Sequence, residues 1–279
     1  MSNPLPTKEA GNLLFLTGVL ILAALMFGAG AVAGDFTEEE LNTMEVYERT
    51  AQSIVNITTE ACEPDHFMCP VPPIGSGSGI ILREDGIIVT NHHVISGAAA
   101  IVVSLGDGRQ FEAEVIGSTP NHDISVLRIE PGDTFLQPVI LGDSDSIQVG
   151  EKVLAVGNPF GLGQTLTVGV VSMTGRDVRN RGVVLRGLIQ TDASINPGNS
   201  GGALFNSRGE LIGMNTMILS PTGSNIGIGF AIPVNQIKKV TPGILHVWGR
   251  WLGWALGILI VAWMIRRIFS PRLDGREAA

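Results

Sequence analysis

A chain of 279 residues accommodates one sizeable domain or two small ones, plus appendages. A net charge of −8 with no basic block in mid-chain argues against nucleic-acid binding, and two cysteines, Cys62 and Cys69, are too few for a disulfide-rich scaffold or a four-cysteine zinc site. The 36 glycines, the 16% of charged residues and a mean hydropathy of +0.31 point to many turns and short strands, with part of the apolar content in lipid.

Residues 1–12 carry Lys8 and lead into an uncharged apolar run from Leu13 to Gly34. At ~1.5 Å per residue this run crosses the ~30 Å hydrocarbon core of a bilayer. Lys8 before it and Asp35, Glu38, Glu39 and Glu40 after it put the N-terminus in the cytoplasm and the chain beyond Asp35 outside. Ala31-Val32-Ala33 also has the form of a signal-peptide cleavage site. Residues 13–34 are therefore read as a transmembrane helix, with a signal peptide as the alternative; either one exports the next segment. In the linker 35–52, Thr37 and Glu40 have capping-box spacing and predict a helix to about Glu48. Ser53 to Ile57 reads as the first strand. Cys62 and Cys69 bracket a short loop on the exported side, where disulfides persist, and a Cys62–Cys69 disulfide is expected to close it.

From Gly75 onward, short apolar or alternating runs succeed one another: Gly77–Leu82, Gly86–Thr90, Ile101–Leu105, Phe111–Ile116, Ile124–Ile129, Lys152–Val156, Leu166–Ser172, Leu211–Met217 and Ile228–Ile232. Gly106-Asp107-Gly108 marks a hairpin turn. No long helical pattern interrupts the series, so the expected fold is an all-β barrel or sandwich, with two barrels favoured by the length. Gly75-Ser76-Gly77-Ser78-Gly79 is followed by neither Gly-Lys-Ser/Thr nor a helix, which weakens a phosphate-loop reading. Val234 to Val240 reads as a short helix after Pro233. Beyond a linker at 241–246, residues 247–265 form a second apolar segment that contains all four tryptophans, Trp248, Trp251, Trp254 and Trp263. Interfacial aromatics, Arg250 near one end and Arg266, Arg267 and Arg272 beyond the other favour a second transmembrane helix with a cytoplasmic tail, 266–279. An amphipathic helix lying in the interface is the alternative. Gly249, Gly253 and Gly257 recur every four residues, which suits close helix association in the membrane.

The densest chemical signal is Thr191-Asp192-Ala193-Ser194-Ile195-Asn196-Pro197-Gly198-Asn199-Ser200-Gly201-Gly202. A serine among glycines can expose its hydroxyl with backbone amides beside it, as attack on a carbonyl requires. Serine needs a base, and histidine is the usual one. Of the five histidines, His66 lies in the cysteine loop and His246 adjoins the second apolar segment. That leaves Asn91-His92-His93-Val94 and Asn121-His122-Asp123-Ile124, both at strand boundaries. Asp123, opening an apolar strand, is a candidate orienting carboxylate. Adjacent histidines diverge on extended chain, so a metal site of His92, His93, His122 and Asp123 is disfavoured, and no cofactor is expected. Gly198-Asn199-Ser200-Gly201-Gly202 also fits the nucleophile-elbow pattern of α/β-hydrolases. That fold runs serine, acid, histidine, whereas here histidine and aspartate precede the serine, as in chymotrypsin-like enzymes.

Together with Val89-Thr90-Asn91-His92-His93-Val94, Asp123-Ile124-Ser125-Val126-Leu127, Gly157-Asn158-Pro159-Phe160-Gly161-Leu162-Gly163 and Gly227-Ile228-Gly229-Phe230-Ala231-Ile232-Pro233, the serine loop and the Gly75–Gly79 run resemble the HtrA/Deg family of trypsin-like serine endopeptidases over about residues 53–240. The resemblance implies a double β-barrel, chymotrypsin/trypsin-like fold with the site between the barrels. It assigns His93 as base, because the family's histidine directly precedes the valine, and leaves His92, where the family usually has asparagine, as a neighbour. It makes Asp123 the orienting acid, Ser200 the nucleophile, and the amides of Gly198 and Ser200 the oxyanion hole. It places Ser194 and Ile195 at the base of the primary specificity pocket and Asn215, Thr216, Met217 and Ile218 along its wall; with no acid there, small aliphatic residues are the expected preference. Gly175–Gly182 resembles the family's regulatory loop. PDZ domains usually come next in the family, and here a membrane segment is expected instead.

The expected activity is a membrane-anchored serine endopeptidase acting on unfolded or misassembled polypeptides outside the cytoplasmic membrane. Its partners would be polypeptide substrates, membrane lipid and, by resemblance, further copies in a homotrimer, with no nucleic acid. The rival from another class is a weakly proteolytic holdase for unfolded chains; His93, Asp123 and Ser200 together argue against it.

Overall fold

The computed structural model describes residues 36–60, 73–159, 163–180, 183–218 and 226–245, without the side chains of 73, 74, 180, 217 and 218. Both expected membrane segments, 13–34 and 247–265, and the expected Cys62–Cys69 disulfide lie outside these residues. Among the described residues no helix is long and apolar enough to cross a membrane.

The capping box forms as the spacing predicts. The Thr37 amide and hydroxyl each donate to Glu40 Oε2 at 2.8 Å, and the Glu40 amide donates back to Thr37 Oγ1 at 3.2 Å. Helix α1, Glu38–Thr50, runs slightly past the expected end at Glu48. Its last turn is retained because Val46 is buried and the Thr50 hydroxyl donates to the Val46 carbonyl at 2.7 Å.

Strands β1 (Ile54–Glu60), β2 (Pro73–Ile81), β3 (Ile87–Thr90), β4 (Ala100–Ser104), β5 (Gln110–Thr119) and β6 (Ile124–Ile129) close a barrel in the order β1-β2-β3-β6-β5-β4. Helix α2, His92–Ile95, is a single turn after β3. The two-residue strand β7, Ile140–Leu141, leads to the second sheet of β8 (Lys152–Gly157), β9 (Thr165–Asn180), β10 (Val183–Thr191), β11 (Ala203–Asn206), β12 (Glu210–Ile218) and β13 (Gly229–Pro233). Its order is β11-β8-β9-β10-β13-β12-β7, and the β11–β12 pairing joins its two ends into a second ring, with β7 alongside β12 in parallel. Residues 234–245 form helix α3, which continues past the expected end at Val240.

Many of these strands read as unbroken apolar runs because both of their faces are buried. On β8, Val153 and Ala155 face the second barrel's interior cluster, while Leu154 and Val156 face a cluster that also takes in Ile54, Ile80, Val89 and Ile124 of the first barrel. The same alternation recurs on β11, where Leu204 points inward and Ala203 and Phe205 point to this shared seam. Val55, Ile57, Ile81, Ile88, Leu127 and Ile129 fill the first barrel. The seam joins the barrels without a linker of their own. Strand β5 follows the expected alternation at Phe111 and Ala113, which pack against the barrel interior, and at Ile116, which joins Ile87, Val126, Ile244 and Leu245 on the outside. It departs from it at Val115, which is exposed where the register shifts between Val115 and Gly117. There Ile244 of α3 sits over Gly117, where an added Cβ would lie 2.6 Å from Ile244 Cγ2.

The start of α3 is tied to the segment after β7. Asp143 Oδ1 accepts from Asn235 Nδ2 at 2.6 Å and from the Asp145 amide at 3.0 Å. These bonds, Asn235 first, hold the Asp143 carboxyl below its usual range. A carboxyl depressed in the folded state stabilises above its unfolded pKa, and that contribution is lost as pH falls through the lower folded value. Asp143→Asn is therefore expected to flatten the acid limb of a Tm-against-pH curve, modestly because the group is exposed; an unchanged limb would count against the tie.

Candidate active site

Strand β3 is buried along its length and ends at Thr90; Asn91, itself buried, caps α2, whose single turn carries His93 to the Asp123 carboxylate. His93 Nδ1 lies 3.0 Å from Asp123 Oδ1 and 2.9 Å from Oδ2, and the His93 amide donates to Oδ1 at 3.0 Å. A carboxylate can only accept, so Nδ1 carries the proton and Nε2 is left with its lone pair. The His93 side chain is 36% exposed and that of Asp123 only 9%, which leaves the ring reachable and the acid shielded.

Asp123 stands in the left-handed region at φ 54°, unlike every other described non-glycine residue. Such a residue is strained unless its surroundings hold it. Its amide donates to the Pro120 carbonyl at 3.1 Å, and its own carbonyl accepts from Asn91 Nδ2 at 3.1 Å and from the His92 amide at 3.2 Å. The Thr216 hydroxyl donates to its Oδ2 at 2.7 Å. Thr216 reaches it because β12 bulges: Asn215 pairs with Ala231 and Met217 with Phe230, leaving Thr216 outside the ladder and re-aimed.

The serine loop comes after β10. The Asn199 amide donates to the Asn196 carbonyl at 3.0 Å and the Gly202 amide to the Asn199 carbonyl at 2.9 Å. Gly198 at φ +96° and Gly201 at φ +81° both require glycine: an added Cβ would strike Pro159 in one case and the Ser78 carbonyl in the other. No described residue accepts from the amides of Gly198 or Ser200. The half-buried Ser200 hydroxyl donates to the Thr216 carbonyl at 3.0 Å. Thr216 thus meets the acid through its side chain and the serine through its backbone.

A sequence profile of the trypsin-like peptidase domain matches residues 77–214. The chain is 46% identical over 212 residues to "Protease Do-like 1, chloroplastic" of Arabidopsis thaliana, covering 75% of this chain and 48% of that protein. It is 51% identical over 166 residues to the "Periplasmic serine endoprotease DegP" of Escherichia coli, covering 59% and 35%. The solved structure "HtrA-type protease AlgW with decapeptide" superposes with a TM-score of 0.63 at 40% identity, covering 73% of this chain and 67% of that one. The chain belongs to the HtrA-type, trypsin-like serine protease family. It spans between about a third and a half of the length of the two curated relatives.

The family assignment gives the remaining candidate positions a frame. Ser194 is exposed, and its carbonyl accepts from Thr167 Oγ1 at 2.9 Å. Ile195 is buried in the second barrel's interior cluster against Gly229. Asn215 is buried, with Nδ2 on the Ala203 carbonyl at 2.9 Å, and Thr216 is committed to Asp123. The side chains of Met217 and Ile218 are not described. His92 turns away from the acid's carboxylate, with Nδ1 2.7 Å from Ser118 Oγ. The expected regulatory loop at Gly175–Gly182 is instead mostly strand: β9 continues to Asn180, with Val178 paired to Leu185 and packed on the seam. Among the described residues no group of three or more His, Cys, Asp or Glu converges on a metal position. The sequence reading missed the hydroxyl of Thr216 and the amide of Asn91. Only a bulge and a turn bring them to Asp123, and neither leaves a mark in local composition.

Proposed function

We propose that this chain is a serine endopeptidase in which His93 is the general base, Asp123 orients it, Ser200 is the nucleophile, and the amides of Gly198 and Ser200 receive the oxyanion. The observation that carries this reading is the two-point contact of Asp123 with His93, which leaves Nε2 with its lone pair, while Thr216 links the same acid to Ser200. The Ser200 hydroxyl rotates from the Thr216 carbonyl to His93 Nε2, gives up its proton there and attacks the peptide carbonyl. The oxyanion forms against these two amides, which no described residue engages, each such donor being worth about 3–4 kcal/mol of barrier. His93 returns the proton to the leaving amine, and water, deprotonated by the same base, releases the acyl group.

Residues 13–34 and 247–265 tether the domain to the membrane, and the domain faces the extracytoplasmic side, where Cys62 and Cys69 pair. Unfolded or misassembled polypeptides are the substrates, with small aliphatic residues preferred at the cleaved bond. Copies assemble as trimers through the protease domain, as the family resemblance implies. The test is fluorophosphonate labelling and casein cleavage by the full chain in membranes, comparing wild type with Ser200→Ala. Labelling and cleavage that both disappear in the variant are expected. Wild-type protein that neither labels nor cleaves would sink the reading in favour of a holdase.

A further inference from the structure

The run Gly75-Ser76-Gly77-Ser78-Gly79 has no part in the chemistry above, yet its second serine makes two hydrogen bonds to the nucleophile loop. Ser78 lies on β2 and is fully buried. Its amide donates to the Ser200 carbonyl at 2.8 Å. Its hydroxyl donates to the Gly198 carbonyl at 2.6 Å and accepts from the Asn158 amide at 2.8 Å. The Thr90 hydroxyl donates to the Ser78 carbonyl at 2.7 Å, and Asn158 is held in turn by Asn56, whose Nδ2 donates to its carbonyl at 2.9 Å.

The polarity of this chain of hydrogen bonds is forced. The Asn158 amide can only donate, so the hydroxyl proton of Ser78 is left for the Gly198 carbonyl. The peptides that Ser78 grips, 198–199 and 200–201, are the two that flank peptide 199–200, whose N–H is that of Ser200. The peptide before them hinges on Gly198, at φ +96°, and glycine offers little intrinsic resistance to a backbone flip. A pin from outside the loop supplies that resistance. We propose that Ser78 is a positioning residue for the oxyanion hole: its buried hydroxyl fastens the Gly198 peptide to the first barrel and so aims the amides of Gly198 and Ser200. The proposal rests on the reading of Ser200 as nucleophile, and it makes the hole a joint product of both barrels.

The test compares the full-length wild type with Ser78→Ala. Active sites are titrated with a fluorophosphonate. Then kcat and KM on a peptide substrate, and the affinities of a peptide boronic acid and of the corresponding product peptide, are measured per titrated site. The boronic acid adds to Ser200 as a tetrahedral adduct and needs the hole; the product peptide needs it far less. A displaced donor costs less than a deleted one, so kcat per site and boronate affinity are each expected to fall about 10- to 100-fold. KM and product-peptide affinity are expected to stay within about twofold. A merely structural serine would lower the number of titratable sites and leave the per-site constants alone, and that result overturns the proposal. If Ser78→Ala does not fold, Ser78→Cys fills the site with a slightly larger side chain and a weaker donor; an intermediate per-site loss supports the pin and an unchanged kcat overturns it. Wild type without Ser200-dependent labelling overturns the functional reading and this proposal together, whereas labelled wild type matched by Ser78→Ala overturns the pin alone.

Discussion

Replacing Asp123 with asparagine is expected to lower kcat by about 10⁴-fold while the protein stays folded. The carboxylate takes the His93 amide and Nδ1 on Oδ1, and Nδ1 and the Thr216 hydroxyl on Oδ2. Asparagine has one acceptor oxygen and one donor group for these two positions. With its NH₂ in the place of Oδ1 it would face the His93 amide, donor against donor, so the oxygen goes there. The NH₂ then occupies the Oδ2 position, 2.9 Å from Nδ1 and beside a Thr216 hydroxyl that can turn and accept. A donor at Nδ1 favours the tautomer with the proton on Nε2, which cannot take the serine proton. Steady-state kinetics on a peptide substrate, with circular dichroism as the control for folding, checks the expectation. A folded variant that loses less than about tenfold would contradict the assigned role of the acid.

Phe205→Ala is expected to cost about 3–5 kcal/mol of folding stability, comparable with the whole stability of many domains. Phe205 is fully buried on β11, just after the nucleophile loop, in the seam cluster that contains strand residues of both barrels. Truncation leaves a void where close packing joins the two rings, and backbones held in barrel ladders have little freedom to collapse into it. Urea unfolding measures the effect. The contrasting variant is Val115→Ala at an exposed position on β5, 42% accessible, where a change within about 0.5 kcal/mol is expected. Equal losses in the two would mean that the seam is not where the barrels are held together.

The strand series and the type of chemistry are legible from local residue patterns. Runs such as Lys152–Val156 and Ile124–Ile129 are apolar enough to require burial on both faces, and local turn residues set their ends. The capping box of Thr37 and Glu40 is likewise local, because both partners lie within one turn. The chain order of histidine, aspartate and serine, with the glycines around Ser200, separated this loop from an α/β-hydrolase elbow before any geometry was known.

The remaining features depend on pairs far apart in the chain. Residue type alone left His92, His93 and His122 as competing bases; the family resemblance chose His93, and the contacts separate the adjacent pair, because one turn of α2 sends one ring to Ser118 and the other to Asp123. Thr216 is placed by the family resemblance along the pocket wall, not at the acid. It meets Asp123 because a bulge rotates it out of the ladder, and a bulge arises from a mismatch between two strands that neither strand encodes alone. The reach of β9 to Asn180, where a loop was expected, results from Val178 and Leu185 finding the seam. Ser78 shows the same limit most plainly: inside a flexible-looking glycine run, its buried hydroxyl acquires a role only when the second barrel closes over it and brings Asn158 and Gly198 within hydrogen-bonding distance. Propensity and pattern act over a few residues, whereas a hydrogen bond between barrels exists only once both have folded and met.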